Sequence, residues 1–344
     1  MGQETDEIDI RDTGALGVRC LKRFWRGRLD MLGNGGQRTM GPHDENLDLI
    51  LQDGLGLGIV EPDQFLFRER PSFEAFEQWI RDTLGGNVDA TTVARVNRAV
   101  ADCLDRPHHD YPLRTPIADP VLSADDLAFW EEHGYVVLRN AVPAEDARAA
   151  ELAVWEFLGM DPQRPETWYD DTHAFWAPLF HHPALARNRG SKRIHKAFAQ
   201  LWGTENLLMS VDRASLNRPL RNDGVDLSGP SALHWDSSIH QPMPFGVQGI
   251  LYLNDVAAEQ GAFQCVPGFH RRIGEWLRGL DPAEDPRAAA RELEAIPVAG
   301  RAGDLIIWRQ DLPHGSSRHL AHYPQVAQYL SMYPPDRPLN PVWR

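Results

Sequence analysis

The stretch SALHWDSSIH places His234 and Asp236 two positions apart. On a β-strand, residues i and i+2 project from one face, so this pair is able to grip a single ion. The tripeptide alone says little. With 14 histidines in the chain, about one His-x-Asp arises by chance. His108-His109-Asp110 is a second example, and it lies among Pro107, Pro112, Pro116 and Pro120. Those prolines exclude a regular ladder, so a solvated loop is the reading there.

Two imidazoles and one carboxylate on one face of an octahedron leave three positions for a cosubstrate and oxygen. This is the donor set of ferrous oxygenases. The third donor has to arrive from a distant strand. His314, in GDLIIWRQDLPHGSS, is the candidate. Gly303-Asp304 marks a turn, Leu305–Trp308 a buried strand, and His314-Gly315-Ser316 its exit. Taken alone, His314 is also readable as a hydrogen-bonded loop histidine.

Positioning these residues requires short strands. Leu207–Val211, Gly249–Leu253, Ala262–Val266, Asp304–Trp308 and a segment near Val326–Met332 read as strands between Gly, Pro and Asn turns, the pattern of an antiparallel barrel or jelly roll. An acidic helix over Arg287–Ile296 is expected to interrupt them. Ahead of the strands, Ser123 and Asp126 form a capping box, Gly134 ends that helix, and Tyr135–Leu138 is a short strand. Pro143 opens a second helix running to about Gly159. Three more helical stretches precede the proline run: Asn46–Gln52, the stripe Phe73, Phe76, Trp79, Ile80, and the stripe Val93, Val96, Val100, Leu104. The first ~40 residues, rich in Gly and Arg, read as an irregular arm. The expected division is a helical extension with a Pro-rich linker over 1–120, then a mainly β domain with flanking helices over 121–344.

The bulk numbers narrow the class. The chain has 344 residues and a net charge of −14. A field of that sign repels phosphate backbones and anionic lipid, so neither nucleic acid nor membrane is an expected partner. No apolar run is long enough to span a bilayer. The start, MGQETDEIDI, has no apolar core of a secretory signal. Cys20, Cys103 and Cys265 are odd in number and form no CxxC pair, which argues against a disulfide framework or thiolate zinc. A reducing, cytoplasmic location fits, and it keeps iron ferrous. The extension leaves room for a homodimer or for lid support.

From Leu122 to Tyr333 the chain resembles the phytanoyl-CoA dioxygenase-like family of iron(II)/2-oxoglutarate oxygenases. LSADDLAFWEEHGYVVLRNAV resembles the family's opening helix and strand, HWD its proximal ligand pair, QGAFQCVPGFHR its PGSH-type turn, and AGDLIIW…LPHGSS its distal ligand strand. The resemblance implies a double-stranded β-helix (a cupin-like jelly roll), Fe(II) on His234, Asp236 and His314, and 2-oxoglutarate and O2 acting on a small organic metabolite. Related halogenases replace the carboxylate with Gly or Ala, so Asp236 implies oxygen chemistry.

One position departs from the family. An arginine eleven residues after the second histidine holds the distal carboxylate of 2-oxoglutarate, and here that position is Gln325. A neutral amide in place of a guanidinium weakens such a contact by roughly one or two orders of magnitude. Arg318 is one replacement, with Gln325 adding a hydrogen bond. Arg213, in LLMSVDR, is another, reaching across the barrel to cosubstrate or substrate. A third reading gives up 2-oxoglutarate: an oxygenase without it, or a metal-binding β-helix protein without turnover. A cupin-type isomerase is a further alternative. By resemblance Ser316 hydrogen-bonds the same carboxylate, and Tyr252, on one strand face with Gln248, stands near the cosubstrate. WYDDTHAFWAPLFHHPALARNRGSKR reads as a lid, with Arg187, Arg189 or Arg193 drawing an anionic group. Trp235 should point away from the ligands. His240, His270, His319 and His322 read as structural or substrate-facing, with His240 and Arg193 the substrate candidates.

Overall fold

The computed structural model describes residues 12–33, 44–105, 110–169, 175–220, 232–340 and 342–343. His108 and His109 of the second His-x-Asp lie outside the described residues. The chain divides into two units. One takes residues up to Asp110 together with Asn206–Val211 and Pro334–Leu339, and the other takes Tyr111–Glu205, Asp212–Tyr333 and Asn340–Arg344. The two later segments that join the first unit have no signal in a linear reading, because they are recruited by contact rather than by composition.

The first unit is helical. α1 (Leu21–Gly33), α2 (Asp44–Leu55), α3 (Glu61–Glu69), α4 (Phe73–Thr83) and α5 (Ala90–Asp105) carry it. α1 falls where an irregular arm is expected from composition. Leu21 and Phe24 give it an apolar stripe that is 1% exposed at each position, and burial overrides the weak local pattern. α4 starts where Ser72 accepts a hydrogen bond from Ala75 N at 3.3 Å. Phe65, Phe76 and Trp79 stack between α3 and α4, with Phe65 and Trp79 centroids 4.6 Å apart.

The second unit holds the sheets. Ser123 and Asp126 cap α6 (Ala124–His133) in a reciprocal box, and Gly134 ends it in the left-handed conformation. β1 (Tyr135–Leu138) and α7 (Ala144–Leu158) follow. The presumed lid stretch contains β2 (Trp176–Ala177), α8 (Pro183–Arg189) and part of α9 (Lys192–Trp202). α9 is not foreseen, although Ile194, Ala197, Phe198 and Leu201 recur at helical spacing and are buried. Then come β3 (Ala214–Asn217), β4 (Val247–Tyr252), β5 (Phe263–Cys265), α10 (Ile273–Gly279), α11 (Pro286–Ala289), β6 (Ile296–Pro297), β7 (Leu305–Arg309), β8 (His314–Ser316) and β9 (Gln325–Leu330). The expected helix over Arg287–Ile296 is corrected: α11 is one turn long, a 3-10 turn over Ala290–Glu292 follows, and Ile296 already belongs to β6.

Six strands form one antiparallel sheet in the order β1-β7-β4-β9-β3-β2, and three form another in the order β6-β5-β8. Sequence neighbours rarely pair, which is the mark of a double-stranded β-helix. Ile250, Tyr252, Ile306 and Trp308 from the large sheet pack with Phe263 and Cys265 from the small one in a single core. The apolar faces of both sheets supply each other's cover.

Candidate metal centre

His234 and His314 are joined through their backbones. His234 N donates to His314 O at 2.9 Å and His314 N donates to His234 O at 3.0 Å. This isolated antiparallel bridge adds residue 234 to the edge of the small sheet beside β8. Two residues far apart in sequence thereby become a hydrogen-bonded cross-strand pair, the kind that sets side chains next to each other. The imidazole centroids are 4.7 Å apart.

Each ring is oriented the same way. His234 Nδ1 lies 3.0 Å from Ala232 O, and His314 Nδ1 lies 3.0 Å from Leu312 O. A carbonyl oxygen only accepts, so both Nδ1 atoms carry the proton and both Nε2 atoms turn toward Asp236. The Nε2 atoms stand 3.5 and 3.2 Å from the two oxygens of that carboxylate. One ligand atom from each of the three residues lies within 4.8 Å of the others.

The electrostatics record the crowding of donors. Burial pushes the Asp236 carboxyl up, but hydrogen bonds from His234 and His314 outweigh it and hold the group below the usual carboxylate range. The His234 imidazole is raised, first by its hydrogen bond to Asp236. Gln248 Nε2 donates to Asp236 Oδ2 at 2.8 Å and fixes the carboxylate plane. Trp235, between the ligand candidates, points the other way. It is 2% exposed and donates Nε1 to Asp311 O.

α11 contributes a clasp that the sequence does not announce. Arg287 donates Nη1 to Trp235 O at 2.8 Å and Nη2 to Ser237 O at 3.0 Å. The two carbonyls flank Asp236, and the guanidinium also lies over the Trp343 ring at 5.2 Å. Such partners behind a ligand typically matter by roughly 10–100-fold in metal affinity. Arg287→Ala should therefore weaken iron uptake by about that factor while leaving the sheets folded. Chelator competition alongside thermal melts checks this, and unchanged affinity would show that the turn holds itself.

A cavity of about 320 Å³ opens beside the three residues. Of the expected cosubstrate residues, Gln248 and Ser316 line it, and so does Arg213. Arg318 is exposed and absent from the lining. Gln325 is 2% exposed on β9, opposite Asn217, and is also absent from the lining. Tyr252 is fully buried. Its hydroxyl donates to Val298 O at 2.8 Å and accepts from Phe263 N at 2.9 Å, so it ties the sheets together instead of facing the cavity.

The remaining candidates disperse. His240 is exposed and lines nothing here. Arg193 donates to Arg139 O, Arg187 pairs with Asp146, and Arg189 bonds Phe180 O. None of the three lines the cavity. Trp176 of the presumed lid does, as do Trp308 and Tyr329. Two of the polar atoms on lining residues, Trp308 Nε1 and Gln248 Oε1, are buried without a hydrogen-bond partner. Buried orphans of this kind call for a ligand.

The model for phytanoyl-CoA dioxygenase (PhyH) matches residues 130–322. A Dictyostelium discoideum protein that carries the name of phytanoyl-CoA dioxygenase is 22% identical over 262 residues, covering 60% of this chain and 74% of its own. The Ava biosynthesis cluster protein O of Aspergillus versicolor is 24% identical over 245 residues, covering 60% and 76%. Among solved structures, the epimerase SnoN in complex with Fe3+, alpha ketoglutarate and nogalamycin RO is 19% identical with a TM-score of 0.44, covering 61% of this chain and 82% of its own. HygX from Streptomyces hygroscopicus, with nickel and 2-oxoglutarate bound, is 16% identical with a TM-score of 0.44, covering 62% and 88%.

Proposed function

The chain belongs to the phytanoyl-CoA dioxygenase family of non-haem iron, 2-oxoglutarate-dependent enzymes, and from that premise we propose that it oxidises a small organic molecule beside His234, Asp236 and His314. The observation that carries this reading is the convergence of two imidazole nitrogens and one carboxylate at the mouth of a cavity. The donor set suits ferrous iron: two neutral nitrogens, one anionic oxygen, and open space on the cavity side. When bound, iron chelated by a 2-oxo acid supplies oxygen activation, with carbon dioxide and succinate as co-products.

The protein's own part is placement and dryness. Ala232 O and Leu312 O hold the two rings by their Nδ1 protons. Gln248 turns the Asp236 carboxylate. Phe263 and Trp308 wall His314 from water, with centroids 6.1 and 5.0 Å from its ring. Ile250 and Trp176 add apolar wall to the rest of the cavity. A cytoplasmic setting is supported by three free cysteines, all buried. Among the described residues, no helix is long and apolar enough to cross a membrane.

A second reading is favoured by the place of Gln325 outside the cavity lining: a β-helix protein that binds metal without using 2-oxoglutarate. Anaerobic addition of Fe(II) and 2-oxoglutarate separates the two. A visible metal-to-ligand charge-transfer band, then succinate on admitting air, is the expected result. Stoichiometric iron with no band would establish the second reading.

A further inference from the structure

We propose that Arg213 is the residue that anchors the distal carboxylate of 2-oxoglutarate in this chain. The inference rests on the oxygenase reading above and adds which side chain replaces the family's missing arginine.

The register of β4 and β9 shows why the usual position does not serve. Inward positions on β9 are 325, 327 and 329, and they climb toward the cavity. Tyr329 pairs with Ile250, and both line the cavity. One rung further along, Ala327 pairs with Tyr252, and both are 0% exposed members of the core. Gln325 lies a rung beyond that. The cavity lining thus reaches Tyr329 and leaves out both Ala327 and Gln325, whose Oε1 is buried with no hydrogen-bond partner among the described residues.

Arg213 stands on the cavity side of that floor. It directly precedes β3, and its carbonyl accepts from Tyr329 N at 3.1 Å. Among the described residues it is the one lysine or arginine in the lining. Its guanidinium carbon lies over Trp176, 4.0 Å from the ring centroid, and its Nε donates to Asp212 Oδ1 at 3.2 Å. Among the described residues, neither Nη atom makes a hydrogen bond. The ring contact and the Nε bond hold the fork in place, and two Nη donors remain for a bidentate carboxylate. Ser316 and Trp308 Nε1 offer further donors to an acid bound in the same space.

The test compares two 2-oxo acids on anaerobic Fe(II) protein, read by the charge-transfer band. 2-Oxoglutarate has a distal carboxylate and 2-oxobutyrate does not. In the wild type the diacid should bind more tightly. Arg213→Gln should raise the Kd of 2-oxoglutarate roughly 10–100-fold and leave that of 2-oxobutyrate unchanged. Arg213→Lys, which keeps the charge but loses the fork, should fall between. Equal losses for both acids would mean general damage and would overturn the proposal. So would unchanged selectivity in Arg213→Gln, the result expected if Arg213 serves a substrate carboxylate, and so would the same loss from Arg318→Gln alone. Absence of any band in the wild type sinks the oxygenase reading itself, whereas a band with selectivity indifferent to residue 213 sinks only this inference.

Discussion

His314→Ala is expected to lose iron and turnover together, by roughly three orders of magnitude or more in kcat, while remaining folded. Two donors are left of three, and among the described residues the cavity lining holds no imidazole besides His234 and His314. The bridge to residue 234 runs through backbone atoms, which alanine keeps. The ring itself is 4% exposed and packs against Trp308 and Phe263, so its removal leaves a hole costing about 2–4 kcal/mol. His314→Gln restores most of that volume without a strong donor. Iron stoichiometry, far-ultraviolet circular dichroism and succinate release measured on both variants separate metal loss from unfolding. Full iron in either variant with full activity would end the assignment of residue 314.

The second large effect concerns stability. Asp304, the aspartate of the AGDLIIW segment, is 3% exposed. Its Oδ1 accepts from Asn140 N at 2.9 Å, and its Oδ2 accepts from Arg301 N at 2.9 Å and from Arg139 Nη1 at 2.7 Å. Those bonds close the turn that lets β7 pair with β1, in the register Leu138 with Leu305. The turn is already constrained. Gly303 has φ +91°, and a Cβ there would sit 2.5 Å from Val142 O. Asp304→Ala orphans two backbone N–H groups, at about 1–3 kcal/mol each. Arg139 is mostly solvent-exposed, so its ion pair adds little. A loss of roughly 3–4 kcal/mol follows, which in a unit of this size lowers the melting temperature by about 10 °C. Asp304→Asn keeps one acceptor and should lose about half as much. Thermal and urea melts with iron chelated read this directly, and an unshifted midpoint for Asp304→Ala would contradict it.

These two residues mark the limit of what sequence alone conveys. The strands around them were legible because their signals are local: period-two apolar runs, turn glycines, and the Ser123–Asp126 box that closes as expected. The pairing of 234 with 314 was legible only as chemistry, since two imidazoles and a carboxylate form a recognisable donor set whatever the spacing. Other features depend on register. Whether Tyr252 faces a ligand or the core turns on one rung of β4, and the same rung decides whether Gln325 matters. Arg287 was hidden for a different reason. It sits in a one-turn helix, within a stretch that read as a longer acidic one, and its partners are backbone carbonyls, which have no sequence signature. α9 and the edge strand at Trp176 lay in a segment whose histidines and prolines obscured an ordinary helical stripe.

Because the amide groups of residues 234 and 314 bond to each other, either imidazole can be exchanged for another donor while the backbone junction between the two segments is kept. Cobalt or nickel should settle into the same mould.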